Sequence, residues 1–232
     1  MVNRALIFIP TLNDFSFMDT LISNIQSESR DYDILIIDDG STVQYENTNN
    51  VYYVKLPFNL GLGAATHVAM DFFLQHNYYY LIRLDSDGQH DPKYIKSYIE
   101  TLNNGSDFVV GNRINRHEGS GIKLFLKKMV HSYFYLIAKL STQSNIPDDL
   151  NSGYLGFNLN AVKILNKLEL ERYPEPQLIL FATLYNLKIS TIDILQKKRQ
   201  KGISTIANWQ TLRLIYRFTI YNFIILIRTK LS

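Results

Sequence analysis

Four apolar runs in the first half of the chain each stop at a short polar cluster, and that repetition constrains the fold more than any other feature. Ala5–Pro10 runs into Thr11-Leu12-Asn13-Asp14, and Asp33–Asp38 ends in Asp38-Asp39-Gly40-Ser41. Tyr78–Leu84 runs into Asp85-Ser86-Asp87, and Asp107–Val110 into Gly111-Asn112-Arg113. Apolar runs of this length, closed by turn residues, read as buried strands. Between them lie segments with helical spacing: Phe15–Ser29 (with Met18, Leu21, Ile22 and Ile25), the glycine-opened Gly61–Gln75, and Pro92–Leu102 with proline at its start. Val51–Leu56 adds a short strand. The resulting β-α-β-β-α-β-α-β order predicts an α/β fold, an open and mainly parallel sheet with right-handed crossovers.

Beyond residue 112 the pattern loosens. Asn112–Gly121 reads as a polar loop and Lys123–Leu140 as an amphipathic helix. Asn151–Asn158 reads as a strand, Pro176–Asn186 as a helix and Lys188–Leu195 as a strand. A basic stretch, Lys197–Lys201, precedes a final helix over Asn208–Arg228. The chain shows no repeat and no linker, so one domain with a C-terminal helical extension is the simplest partition.

The absence of cysteine excludes disulfides, zinc–thiolate sites, iron–sulfur clusters and thiol nucleophiles together, and fits a reducing compartment. The run Ala5–Ile9 is too short for a signal segment, and no stretch approaches the ~18 apolar residues of a spanning helix. The net charge of +3 conceals an asymmetry. Residues 1–100 hold 13 acidic and 6 basic side chains, whereas residues 188–232 hold 9 basic ones and the single acid Asp193. Carboxylates collect at one end of the sequence, and a surface suited to phosphates or anionic lipid at the other.

In an open α/β sheet, ligands bind beyond the carboxyl ends of the strands. Any one of the four polar clusters could be a turn. Four at one edge crowd acids together and call for compensation by a metal ion or ligand. Asp85-Ser86-Asp87 is the sharpest, because two carboxylates one residue apart can flank a hard cation such as Mg²⁺ or Mn²⁺. Such a cation completes its shell with water and phosphate oxygens, and would neutralise charge on a diphosphate leaving group. His90 beside Asp91-Pro92 reads as a turn or cap residue. Asn59-Leu60-Gly61-Leu62-Gly63 lacks the third glycine of a dinucleotide fingerprint and follows the wrong strand, which argues against a dehydrogenase. Clustered acids and the lack of a recognition motif argue against nucleic acid as a partner. The missing glycine-rich loop after the first strand argues against a sugar-phosphate nucleotidyltransferase.

In order and spacing these clusters resemble the inverting family 2 glycosyltransferases, which have a GT-A fold. The matching residues are Pro10-Thr11-Leu12-Asn13-Asp14, Asp38-Asp39-Gly40-Ser41, Asn59-Leu60-Gly61 with Ala64, and Asp85-Ser86-Asp87-Gly88-Gln89-His90-Asp91-Pro92. Val110-Gly111-Asn112-Arg113, Asp149-Leu150-Asn151-Ser152-Gly153, Tyr173-Pro174-Glu175-Pro176 and Arg199-Gln200-Lys201-Gly202-Ile203-Ser204 continue the likeness. The long D-S-D-G-Q-H-D-P string is similar to the subgroup acting on polyprenyl-linked acceptors. The resemblance implies a GT-A (Rossmann-like) domain over residues 1–206, with an open mixed, mainly parallel sheet flanked by helices. Residues 207–232 would form a C-terminal amphipathic extension.

By that resemblance, Pro10, Thr11, Asp14, one of Asp38 and Asp39, and Gly61 would hold the nucleotide of a nucleotide-sugar donor, with a UDP-sugar the expected one. Asp85 and Ser86 would lie on the ribose or metal side, and Asp87, with Asp85, would ligate Mn²⁺ or Mg²⁺. Arg113, Ser152, Gly153, Lys198 and Arg199 would face the diphosphate and acceptor. Two positions depart from the family pattern: Asp14 stands where glutamate is usual, and Gln177 where related chains carry an acid.

Glu175, at the start of a predicted helix, is the candidate general base, and Asp149 is the rival. A sugar hydroxyl attacking an anomeric carbon must lose a proton, and a placed carboxylate can take it. Polyprenyl phosphate is already an anion and needs no base. The expected acceptor is therefore a hydroxyl of a lipid-linked saccharide in cell-surface polysaccharide assembly, with polyprenyl phosphate itself as the alternative. A non-catalytic subunit that binds nucleotide or lipid is the reading from a different class. The final helix, with Arg213, Arg217 and Arg228 among aromatic and aliphatic side chains, suits an anionic membrane face. Packing on the domain, or on a second subunit of a homo-oligomer, accounts for it equally. Lys123, Lys127 and Lys128 could add a second interfacial surface. The expected location is cytoplasmic, peripheral at the inner face of the cell membrane.

Overall fold

The computed structural model describes residues 4–43, 45–46, 51–115 and 146–197, together with residues 132, 133, 135, 136, 139, 219 and 220. The strands are β1 (Ala5–Thr11), β2 (Tyr32–Asp38), β3 (Tyr52–Lys55), β4 (Tyr80–Arg83), β5 (Phe108–Arg113), β6 (Leu155–Asn158) and β7 (Ile189–Ile194). The helices are α1 (Met18–Glu28), α2 (Leu62–Gln75), α3 (Ile95–Asn103), α4 (Leu159–Leu165) and α5 (Glu175–Leu184), with a single 3₁₀ turn at Pro92–Tyr94 ahead of α3.

The strands form one seven-stranded sheet in the order β3-β2-β1-β4-β6-β5-β7. β1 pairs in parallel with β2 and β4, β2 with β3, and β5 with β7. β6 alone runs antiparallel, wedged between β4 and β5. The alternation of side chains along each strand divides the core into two layers. Leu6, Phe8, Leu35, Ile37 and Leu81 face α2, α4 and α5, burying Ala65, Ala69, Met70, Phe73, Val162, Leu165 and Leu178. Ala5, Ile7, Ile9, Ile34, Ile36 and Ile82 face α1 and α3, burying Leu21, Ile22, Ile25, Ile95, Tyr98 and Leu102.

The reversal of β6 positions the site. Because it enters the sheet from the carboxyl edge of its parallel neighbours, residues 149–154 arrive beside the ends of β4 and β5. The register sets Arg83 opposite Leu155 and Val110 opposite Leu155. The expected strand over Asn151–Asn158 is therefore shorter, and its first half is the loop that feeds the site. Asn112 and Arg113, expected in a loop, extend β5 in pairing with β7. Helix α4 was not expected. Asn158 caps it by accepting the Ala161 N–H at 2.9 Å.

The expected helices over 123–140 and 208–228 lie largely outside the described residues. Of the first, 132, 133, 135, 136 and 139 are helical; of the second, 219 and 220 are. Tyr133 and Thr219 share a hydrogen bond of 2.6 Å between their hydroxyls, so these two segments touch. The basic residues Lys198 and Arg199 lie outside the described residues. Among the described residues no helix is long and apolar enough to cross a membrane.

Candidate active site

Two loops after β1 and β2 are laced together. The Asn13 N–H donates to Ser41 Oγ at 2.7 Å, and Asn13 Oδ1 accepts the Thr42 and Val43 N–H groups at 2.8 and 3.3 Å. Thr11 is buried and its hydroxyl donates to the Asp14 carbonyl at 2.9 Å, while the Asp14 carboxylate accepts from Ser16. Asp38 is 0% exposed. Its oxygens accept the Ser41 N–H at 2.8 Å and the Tyr53 hydroxyl at 2.7 Å, so it braces the turn. Asp39, in the same turn, is also buried and receives the Leu60 and Gly61 N–H groups, both at 2.8 Å. Gly61 takes φ of +97°, a left-handed conformation that a side chain would strain, and a Cβ there would meet Arg172. Pro10, Thr11, Asp14, Asp39 and Gly61 thus gather at one end of the sheet edge.

The turn after β4 holds the paired carboxylates. Asp85 Oδ1 accepts from Arg83 at 3.0 Å, and its backbone N–H donates to His90 Nδ1 at 3.1 Å. Dehydration of the Asp85 carboxyl favours its neutral form. The Arg83 charge, with the Arg83 hydrogen bond, more than offsets this and holds it below the usual carboxylate range. Burial pushes His90 down, which keeps the ring neutral and its Nδ1 free to accept. Asp87 Oδ1 accepts the Gln89 N–H at 3.0 Å, and Ser86 is buried between the two acids. From the incoming β6 loop, Gly153 lies flat against Asp85: a Cβ at that position would sit 2.2 Å from Asp85 Oδ2.

Two guanidinium groups neutralise the remaining acids. Arg113 grips Asp149 through Nε and Nη2 at 2.6 and 2.8 Å, and reaches the Asn151 carbonyl at 3.1 Å. Asp149 is thereby committed to shaping the loop that carries Ser152 and Gly153. Ser152 Oγ is buried without a hydrogen-bond partner among the described residues. Arg83, with only 2% of its side chain exposed, donates from Nη2 to Glu175 at 2.7 Å as well as to Asp85. Burial favours loss of its proton, but the Glu175 and Asp85 charges outweigh this and keep it cationic. Glu175 opens α5 and is 13% exposed. The compensation expected from a ligand comes, for Asp85, Asp149 and Glu175, from these arginines.

Gln177 has a structural role. It is buried, its Oε1 accepting the Glu171 N–H at 2.7 Å and its Nε2 donating to the Glu169 carbonyl at 2.8 Å. A carboxylate could not make the second bond. Arg83 is the site residue that sequence reasoning passed over, and His90, expected as a turn or cap residue, is buried and accepts the Asp85 N–H. Arg83 is a lone cation inside an otherwise apolar run, and that oddity was its available signal.

Residues 6–167 match the family model described as glycosyl transferase family 2. The chain belongs to this family. It is 23% identical over 180 residues to polyprenol monophosphomannose synthase of Mycolicibacterium smegmatis, a match covering 72% of this chain and 65% of that protein. It is 26% identical over 192 residues to a UDP-N-acetylglucosamine–dolichyl-phosphate N-acetylglucosaminyltransferase of Methanococcus voltae, covering 72% and 74%. Among solved structures it resembles glucosyl-3-phosphoglycerate synthase of Mycobacterium tuberculosis, in complex with Mn²⁺, UDP and glucosyl-3-phosphoglycerate. There the TM-score is 0.67 at 17% identity, over 96% of this chain and 79% of that one. The fold of this glycosyltransferase domain is GT-A.

Proposed function

We propose that this glycosyltransferase moves a sugar from a nucleoside diphosphate to polyprenyl phosphate, inverting the anomeric centre in one in-line displacement. The observation that carries this reading is that both candidate bases, Glu175 and Asp149, are ion-paired to arginines. A hydroxyl acceptor needs a carboxylate to take its proton, whereas a phosphate acceptor arrives ionised. The names of the two relatives point the same way, since each specifies a polyprenol or dolichol phosphate and they differ in the sugar. The hydroxyl acceptor expected from Glu175 acting as a base gives way to the phosphate acceptor.

In this reading Pro10, Thr11, Asp14, Asp39 and Gly61 receive the nucleoside. Of the two neighbouring acids Asp39 is the less enclosed, 7% exposed against 0% for Asp38. Asp87 and the Asp85 edge offer hard carboxylate oxygens, the donor type that Mn²⁺ and Mg²⁺ take. No group of three or more acidic, histidine or cysteine side chains gathers among the described residues, which fits a cation that relies on diphosphate oxygens for the rest of its shell. Once bound, the ion would offset charge on the departing diphosphate. Arg113 orients the Ser152-Gly153 loop beside it. Lys198 and Arg199 would supply further positive charge to the diphosphate. The acceptor's lipid tail keeps the reaction at a membrane surface, at the inner face where the donor is available.

The test is transfer of labelled sugar by the full chain in detergent micelles with Mn²⁺, pairing UDP-glucose, UDP-N-acetylglucosamine and GDP-mannose in turn with polyprenyl phosphate. A labelled lipid whose sugar is released by mild acid, as a glycosyl phosphodiester requires, is the expected product. Label that enters only a lipid-linked saccharide would refute the reading.

A further inference from the structure

We infer that Arg83 sets the class of acceptor this enzyme uses, by withholding Glu175 from proton transfer. The inference rests on the phosphate-acceptor reading above. Arg83 closes the fully buried strand Tyr80–Arg83. A buried cation in such a position is poor for stability, since apolar replacements of buried ion pairs are often neutral or better. Its geometry is also unlike that of a simple brace. A guanidinium that merely secures a carboxylate usually presents two nitrogens to it, as Arg113 does to Asp149. Arg83 instead uses the single nitrogen Nη2 for two carboxylates, Asp85 on the donor side and Glu175 on the acceptor side, while Nε and Nη1 are buried with no partner among the described residues.

The consequence depends on what attacks the anomeric carbon. With a phosphate acceptor, its oxygen forms the new bond to carbon as the bond to the diphosphate oxygen breaks, and no proton moves. With water or a sugar hydroxyl, the same two bonds change and a proton must also pass to Glu175. That proton would cancel one of the two negative charges facing a buried guanidinium whose Nε and Nη1 have no partner among the described residues. Arg83 therefore penalises hydroxyl acceptors and leaves phosphate untouched, which is selectivity by raising the cost of the wrong substrate.

The ratio of donor hydrolysis to polyprenyl phosphate transfer reads this directly, because water is the simplest hydroxyl acceptor. In Arg83→Gln we expect that ratio to rise by more than about tenfold, within the range that a working general base supplies, and adding Glu175→Gln to cancel the rise. Arg83→Lys, which keeps the charge, should return the ratio towards that of the wild type. A smaller rise in an Arg83→Gln chain that melts normally, or a rise that survives Glu175→Gln, overturns the inference. If Arg83→Gln does not fold, Glu175→Gln alone decides. Hydrolysis within about threefold of wild type supports the inference, and a larger loss overturns it, given the ~100-fold or greater effect of removing an active base. A wild-type chain that never uses polyprenyl phosphate refutes the acceptor reading itself. Normal transfer with an unchanged ratio refutes only the role of Arg83.

Discussion

Gly153 matters through the side chain it lacks. Its backbone occupies the space beside Asp85 Oδ2, so Gly153→Ala would drive a methyl group to 2.2 Å from a carboxylate that Arg83 already holds from the other side. Overpacking of this kind costs about 1–3 kcal/mol, and here relief comes by displacing Asp85. Transfer is expected to fall by at least about tenfold, in line with that energy, with the thermal midpoint only slightly lowered. Equal kinetics in Gly153→Ala would show that Asp85 does not need its present position. At this scale the sequence was partly legible. Asp85 and Asp87 stood out because polar residues at a strand end have few packing reasons to be there, and Gly153 and Glu175 through the family resemblance. Arg83 did not, because it lies within the apolar run, and its role depends on Glu175, 92 positions away. No local pattern reports a pairing of that separation.

Among the secondary-structure elements, the foot of the β5–β6–β7 group is tied by one acid. Asp107 accepts from the Lys188 N–H at 2.9 Å, from Asn158 at 2.9 Å and from Asn160 at 3.1 Å. Partial burial pushes its carboxyl up, but these hydrogen bonds prevail and hold it below the usual carboxylate range. A carboxyl depressed on folding stabilises the protein above its unfolded value of about 4, and the gain is lost as the pH falls through the folded value. The melting temperature should therefore decline below about pH 4, and Asp107→Asn should flatten that decline. Identical acid limbs would place the titration elsewhere. Asn158 both joins this network and caps α4, so Asn158→Ala should cost about 1–2 kcal/mol in chemical denaturation. An effect below about 0.5 kcal/mol would mean that the cap is redundant. Strands β1, β2 and β4 could be read from sequence because each is a contiguous apolar block. Helix α4 was missed because its seven residues, two turns long, offer too little periodicity. The direction of β6 could not be read either, since strand polarity depends on neighbours far away in sequence.

For the molecule as a whole, ligand binding should appear as stability. A donor at one hundred times its dissociation constant adds about 2.7 kcal/mol, or roughly 5–10 °C for a chain of this size. UDP-glucose, UDP-N-acetylglucosamine or GDP-mannose should give such a shift with Mn²⁺ and a smaller one without it. Asp87→Ala should lose the metal-dependent part. Metal-independent shifts of equal size would remove the cation from the account.

The place of β6 also bears on the order in which the chain can assemble. β5 lies between β6 and β7, so neither of its neighbours exists when it leaves the ribosome. β1 to β4 can pair as they are synthesised, giving a four-stranded half that already presents the Asp39 and Asp85 turns. β5 must then wait for at least residue 158 before it can dock. A nascent chain stalled short of that point would expose an unpaired apolar strand, which makes the interval between β5 and β6 the stretch of synthesis most exposed to aggregation and to capture by chaperones.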